Sequence, residues 1–333
     1  VIATASYPAA LREATAPPEQ RGLGRDGVRL LVTDRATRSH AHARFFELPD
    51  YLRSGDLLVV NDSATVPAAI PARRANDETL PLHVSTRIDE RIWMAEPRGT
   101  VLCGEELRLP AGGSAVMIAP VEPEYPRLWY AWFQLPLPMG EYLATHGEPI
   151  RYGYVRERFP LRDYQTIFAR EPGSAEMPSA ARPFTRRLVE KLRSGGIALA
   201  TVTLHCGVAS FEAPERPPIE CFAVPHATAQ AVNRARAEGR RVIAIGTTPL
   251  RALESSVLDG EVVASSGWTE LVIDERHRLR AADGLLTGFH GSTATHRWLL
   301  GAFADRELVD AAYEEAANGG YFCHEFGDTH LIV

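Results

Sequence analysis

From about residue 164 onward the chain alternates short apolar runs with helix-length segments, and this rhythm restricts the fold more than any other feature. Runs at 197–205, 241–245 and 269–273 read as strands, and 183–193, 227–238, 249–258, 297–303 and 306–317 as helices. Strands separated by helices form a largely parallel sheet that needs helices to cover it. Earlier apolar runs at 28–33 and 56–61 have the same strand-sized character, and Asn61 and Asp62 end the second as good turn formers. The stretch 46–52 between them reads as helix or turn. Between about 71 and 148 the rhythm changes. Short alternating segments at 82–88, 91–95, 107–109, 115–121 and 128–133 are punctuated by Pro and Gly, which suits a small antiparallel sheet or barrel. The expected class is α/β: a mainly parallel sheet domain with helices, built from 1–70 and 149–333, interrupted by a smaller antiparallel β-barrel-like domain at 71–148.

Bulk properties narrow the function. With 45% apolar and 23% charged residues, 333 residues can bury substantial cores. No apolar run approaches the roughly 20 residues of a membrane span. The segment 1–19 carries Pro8, Pro17 and Pro18 but neither a basic nor an apolar signal region, so a cytoplasmic location is expected. Cys103, Cys206, Cys221 and Cys323 are scattered and no His-Glu-x-x-His occurs, so no metal is expected. A net charge of −6 argues against a broad basic surface for nucleic acid. The basic residues are nearly all Arg, with Lys191 the single lysine; this suits phosphate or carboxylate recognition and equally a GC-rich genome.

Four segments carry candidate chemistry. In RRVIAIGTTPLRALES at 240–255 a buried strand runs through Gly246, Thr247 and Thr248 into a helix, with Thr248 as cap and Pro249 at the first helical position. Helix starts at the carboxyl edge of a parallel sheet bind anionic groups. Arg251 and Glu254 share a face of that helix, and a surface ion pair on an ordinary strand–helix unit is the plain alternative. In TVTLHCGVASF at 201–211, His205 stands where the strand gives way to Gly207 and Ser210, as a base or as a structural hydrogen-bonder. In ADGLLTGFHGSTATH at 282–296, Asp283, Thr287, His290 and His296 combine acid, hydroxyl and imidazole groups suited to proton transfer, or form only a polar turn. The polar stretch at 163–179 holds Tyr164, Gln165, Arg170 and Glu171.

Together these segments resemble the S-adenosylmethionine:tRNA ribosyltransferase-isomerase family. The matching blocks run in order: GDLLVVND at 55–62, DYQTIFAREPGS at 163–174, VTLHCG at 202–207, the strand–helix unit at 240–255, GWTELVI at 267–273, Asp283 to His290, and FGD followed by LI at 326–332. The resemblance implies an α/β domain with an inserted β barrel. It also implies that S-adenosylmethionine, without a metal, donates its ribosyl part to a 7-aminomethyl-7-deazaguanine in tRNA. Epoxyqueuosine forms, and adenine and methionine leave. Catalytic candidates are then His205, Asp283 and His290. Tyr164, Gln165, Gly246, Thr247, Thr248, Arg251, Glu254, Trp268, Thr287 and Phe289 are the candidates for holding the cosubstrate.

The sequence also departs from the family pattern. An arginine, a histidine and a lysine of the usual motifs are replaced by Ala64, Pro183 and Thr293, and a histidine-rich stretch before Glu220 is missing. Fewer positive groups fit weaker phosphate contact or a changed acceptor, with Arg170, Arg182 and Arg186 as a local basic patch. Two further readings therefore stay open: a relative that uses S-adenosylmethionine with a small-molecule acceptor or cleaves it without tRNA, and an inactive paralogue that binds a nucleoside or protein.

Overall fold

The computed structural model describes residues 11–208, 216–291 and 296–333. Its larger part is built on a nine-stranded sheet. The strand order is Ser265–Thr269, Glu220–Val224, Ala198–Leu204, Leu57–Asn61, Val242–Ile245, Gly284–Gly288, Thr329–Ile332, Arg29–Asp34 and Ser39–Arg44. The four strands from Ala198–Leu204 to Gly284–Gly288 are mutually parallel, as the strand–helix rhythm requires. Antiparallel pairings extend both ends of this parallel core.

Every residue of Leu57–Asn61 is buried, so its two faces supply two different cores. Leu58 and Val60 pack with Ile243, Ile245, Phe45 and Phe184 beneath the helix Arg186–Ser194. Leu57 and Val59 face Val202, Val232 and Leu253 beneath the helices His226–Ala237 and Thr247–Ser255. Toward the other end of the sheet, Leu285 and Ile332 meet Val309, Ala312 and Tyr313, of which the last three lie on the helix Arg306–Asn318. Each such aliphatic side chain contributes about 1.5–3 kcal/mol on burial, so both helix layers are firmly tied to the sheet.

The helices expected at 183–193 and 297–303 span Arg186–Ser194 and His296–Leu300, and two further elements are placed differently. The stretch 269–273 is strand only up to Thr269, because the Thr269 hydroxyl accepts from Leu271 N–H (3.1 Å) and turns the chain out of the sheet. The helix expected from Pro249 begins at Thr247. Gly246 is its cap, with a backbone φ of 107° that glycine reaches without steric cost.

The inserted unit is a closed antiparallel barrel of six strands: Ala69–Arg73, Thr79–Arg87, Ile92–Pro97, Glu106–Arg108, Ser114–Pro120 and Trp129–Gln134. Closure leaves no open edge. Residues two apart point inward, so Leu80, Leu82 and Val84 meet Ala115, Met117, Ala131 and Phe133. The helix Met139–His146 covers this core with Met139, Tyr142 and Leu143. The chain leaves the sheet at Asn61 and crosses as Ser63–Thr65. On its way back it pairs with that crossing in parallel through Glu171–Ser174. The barrel leans on the sheet domain where the Ser85 hydroxyl accepts from Val208 N–H (2.8 Å). A Cβ at Gly207 would fall 2.8 Å from that hydroxyl, so the close approach depends on glycine.

Inside the barrel wall, Glu96 accepts from the His83 ring (2.8 Å), Arg127 (2.8 Å) and Arg98 (3.0 Å). Burial pushes its carboxyl up, but the His83 and Arg127 hydrogen bonds and charges outweigh burial and hold it at about 2. A carboxyl depressed in the folded state stabilises the fold above its ordinary value of 4.5 and loses that contribution as pH falls toward about 2. Denaturant unfolding followed by barrel tryptophan fluorescence should therefore show a loss on the order of 3 kcal/mol over that acid window. Glu96→Gln should be less stable at pH 7 and flatter across the same range.

Candidate active site

The carboxyl ends of the parallel strands open into a cavity of about 670 Å³, within the size range of small-molecule sites. One wall is the start of the helix Thr247–Ser255, reached directly from Val242–Ile245. Gly246, Thr247 and Thr248 line it, and no side chain caps the helix, whose first N–H groups lack intrahelical partners. The Thr248 hydroxyl instead accepts from the Asn61 side-chain amide (3.0 Å). One turn on, Arg251 is buried and ion-paired with Glu220. Its Nε donates to Leu271 O (2.9 Å), and Glu220 also accepts from Gly207 N–H (2.8 Å). Arg251, Glu220, Cys206, Thr287 and His290 all reach this wall. Burial pushes the Cys206 thiol up, which keeps it protonated.

A further part of the lining, with aromatic rings, comes from the segment returning from the barrel and from the chain before the last strand. Tyr152 and Tyr154 stack with ring centres 6.0 Å apart, and Tyr154 stacks on His324 at 4.5 Å. The Tyr152 hydroxyl donates to Glu176 and the Tyr154 hydroxyl to Glu325. Burial pushes Glu325 toward its neutral form, against the pull of the Tyr154 hydrogen bond, and pushes His324 down.

Of the sequence candidates, Tyr164, Gly246, Thr247, Thr248, Arg251, Thr287 and His290 line this one cavity. The others do not. Asp283 precedes Gly284–Gly288 and lies at the amino edge of the sheet, accepting from Val242 N–H (2.8 Å), because its strand must run through to Thr287 before reaching the site. His205 lies off the cavity with Nδ1 2.7 Å from the Ser63 hydroxyl, and burial pushes its ring pKa down. Glu254 is wholly buried and holds the 280–281 backbone through two N–H groups. It and Arg251 therefore form no surface pair. Gln165 binds both backbone groups of Thr65 (3.0 and 2.7 Å), and Phe289 is a core ring stacked on His330. Trp268 lies half-exposed on the outermost strand.

Other expectations resolve unevenly. Arg182 is buried against Glu19 (3.0 Å) and Phe326, so it is no part of a basic surface, whereas Arg170 and Arg186 are exposed. Ala64 pairs with Pro172 in the crossing, and Pro183 is buried beside the cavity without lining it. Thr293, Ser210 and the His296 side chain lie outside the described residues. Among the described residues no cluster of potential metal ligands occurs, and no helix is long and apolar enough to cross a membrane.

Residues 7–332 match the model of a family described as queuosine biosynthesis protein. The chain belongs to that family. A Moorella thermoacetica protein named S-adenosylmethionine:tRNA ribosyltransferase-isomerase is 37% identical to it, covering 93% of this chain and 94% of the relative. A Thermus thermophilus protein of the same name is 36% identical, covering 95% and 97%. The crystal structure of a Thermotoga maritima S-adenosylmethionine tRNA ribosyltransferase matches with a TM-score of 0.55 and 30% identity over 96% of each chain.

Sequence reasoning missed the aromatic part of this queuosine-family cavity and the partner of its arginine. Glu220 sits on a strand whose register is visible only in the fold, and a Tyr-x-Tyr pair at 152–154 was the one local sign of the aromatic wall. Removing one member of a buried pair strands the other. Arg251→Met should therefore cost about 3–5 kcal/mol of stability in denaturant unfolding, and Arg251→Met combined with Glu220→Gln should recover much of that loss.

Proposed function

We propose that this chain transfers and isomerises the ribosyl part of S-adenosylmethionine onto a 7-aminomethyl-7-deazaguanine in tRNA, forming epoxyqueuosine with loss of adenine and methionine. The observation carrying this reading is the near full-length family match, because it includes the strand–helix unit whose start forms one cavity wall. In this reading the helix start receives the methionine carboxylate, where N–H groups and the helix dipole favour an anion. The sulfonium acidifies the adjacent C5′ hydrogens, so a base in the cavity can remove one, and a closed, oriented site assists adenine departure and epoxide closure. His290 is the sequence-named base candidate that reaches the cavity. Residues 1–70 and 149–333 act in this reading as the cosubstrate domain, with 71–148 as the inserted one.

For tRNA, the segment returning from the barrel carries exposed Arg156, Arg158, Arg162 and Arg170 close in sequence to the aromatic wall. Such residues position phosphates without reading sequence. One observation favours the second reading, a small-molecule acceptor: the cavity lining includes Glu13, Glu176 and Glu325, which disfavour a phosphate inside it. Incubation with S-adenosylmethionine, with and without tRNA carrying the modified guanine, separates the two by mass analysis. Adenine and methionine release that requires the tRNA is the expected outcome; release without it would install cleavage or transfer independent of tRNA, and no release with the tRNA would remove the tRNA reading.

A further inference from the structure

Charge is unevenly distributed over the cavity lining. Among the described lining residues Arg251 is the one permanent cation, and its guanidinium is committed to Glu220, Leu271 O and Thr269 O. Four carboxylates line the same space: Glu13, Glu176, Glu220 and Glu325. Glu13, Glu176 and Glu325 lie on or beside the aromatic rings. His324 lies 3.7 Å from Glu13, but burial disfavours its charged form.

The carboxylates on this wall are set in a specific frame. Glu176 and Glu325 each accept a tyrosine hydroxyl, and Tyr152, Tyr154 and His324 form a continuous stack beside them. An independent feature points to a missing partner. Tyr164 lines the cavity, is 4% exposed, and its hydroxyl has no hydrogen-bond partner among the described residues. Buried hydroxyls in folded proteins nearly always have one. A negative wall faced with aromatic rings attracts a compact organic cation through both carboxylates and π faces.

We propose that Tyr152, Tyr154, Glu176 and Glu325 form a subsite for an organic cation in the same cavity as the helix start. The cation is a sulfonium or an alkylammonium. Both occur in the reaction proposed above, the first on S-adenosylmethionine and the second on the aminomethyl group of the acceptor base, and in this the inference rests on that reading. Burial pushes the Glu325 carboxyl up, and a cation beside it would draw it back down.

The test compares charged and neutral ligands of matched shape by calorimetry, with and without saturating tRNA. One arm sets S-adenosylmethionine and its amine analogue sinefungin against S-adenosylhomocysteine, whose sulfur is neutral. The other sets 7-aminomethyl-7-deazaguanine against 7-methyl-7-deazaguanine. Wild type should favour the charged member of at least one arm by about tenfold or more, the scale of a charge-assisted contact. E325Q and E176Q should shrink that preference while leaving affinity for the neutral member unchanged, a result that general damage to the fold would not give. Loss of preference in the first arm places the sulfonium at the subsite, and loss in the second places the acceptor amine there. Should E325Q not fold, E176Q and Tyr154→Phe carry the same comparison. Equal binding of charged and neutral ligands by wild type, or a preference that survives in the variants, overturns the subsite and leaves the proposed function standing. Failure of every S-adenosylmethionine-type ligand to bind, with or without tRNA, overturns the proposed function; the amine arm then decides the subsite alone.

Discussion

The side-chain amide of Asn61, wholly buried, stands in for the next residue of the ladder beside Leu204. Its Oδ1 accepts from Leu204 N–H (3.0 Å) and Ser63 N–H (3.0 Å), while Nδ2 donates to Leu204 O (2.7 Å) and the Thr248 hydroxyl (3.0 Å). Three elements meet at this one group: the end of Leu57–Asn61, the end of Ala198–Leu204 and the first turn of Thr247–Ser255. A buried amide left unpaired would cost about 1–3 kcal/mol per lost partner, so these elements keep a fixed spacing. That spacing shapes the carboxyl edge of the sheet, and the cavity depends on it.

Around this anchor the polar groups are divided between support and reception. His205, Ser63 and Ser174 knit the crossing to the strand behind it, with Ser63 and Ser174 hydroxyls 2.6 Å apart. Glu254 and Asp283 fasten backbone at places the cavity does not reach. These are the groups whose residue types suggest catalysis when read from sequence, because a base and a structural acceptor use the same side chains. Their hydrogen bonds decide between the two roles, and hydrogen-bond partners lie far away along the chain.

This explains what was legible. The parallel core, the barrel and the helices announce themselves by local period, so 197–205, 241–245 and the barrel strands are readable from residues close together. Thr329–Ile332 is different. It pairs with Gly284–Gly288 on one side and Arg29–Asp34 on the other, a placement set by contacts about 300 residues apart in the second case. The helix start was misread by two residues because Thr before Pro is a good cap by propensity, whereas the positive φ of Gly246 lets the turn close earlier. The aromatic wall left no periodic signal, since Tyr152, Glu176 and Glu325 come from three separate segments.

The charge arrangement then follows from how the arginine is used. An arginine beside a helix start would ordinarily add to its attraction for anions, but Arg251 is already neutralised by Glu220 and anchored to two carbonyls. In the proposed function the helix start therefore holds its anionic group mainly through its N–H groups and dipole, an interaction worth about 0.3–2 kcal/mol. So weak an attraction favours a ligand that brings its anion together with a second anchor. In the proposed arrangement the carboxylate-bearing aromatic rings of the same cavity supply that anchor. A zwitterion then gains at both places, whereas a plain anion gains only at the helix start. Selectivity in this cavity thus comes from the separation of charges rather than from an excess of either sign.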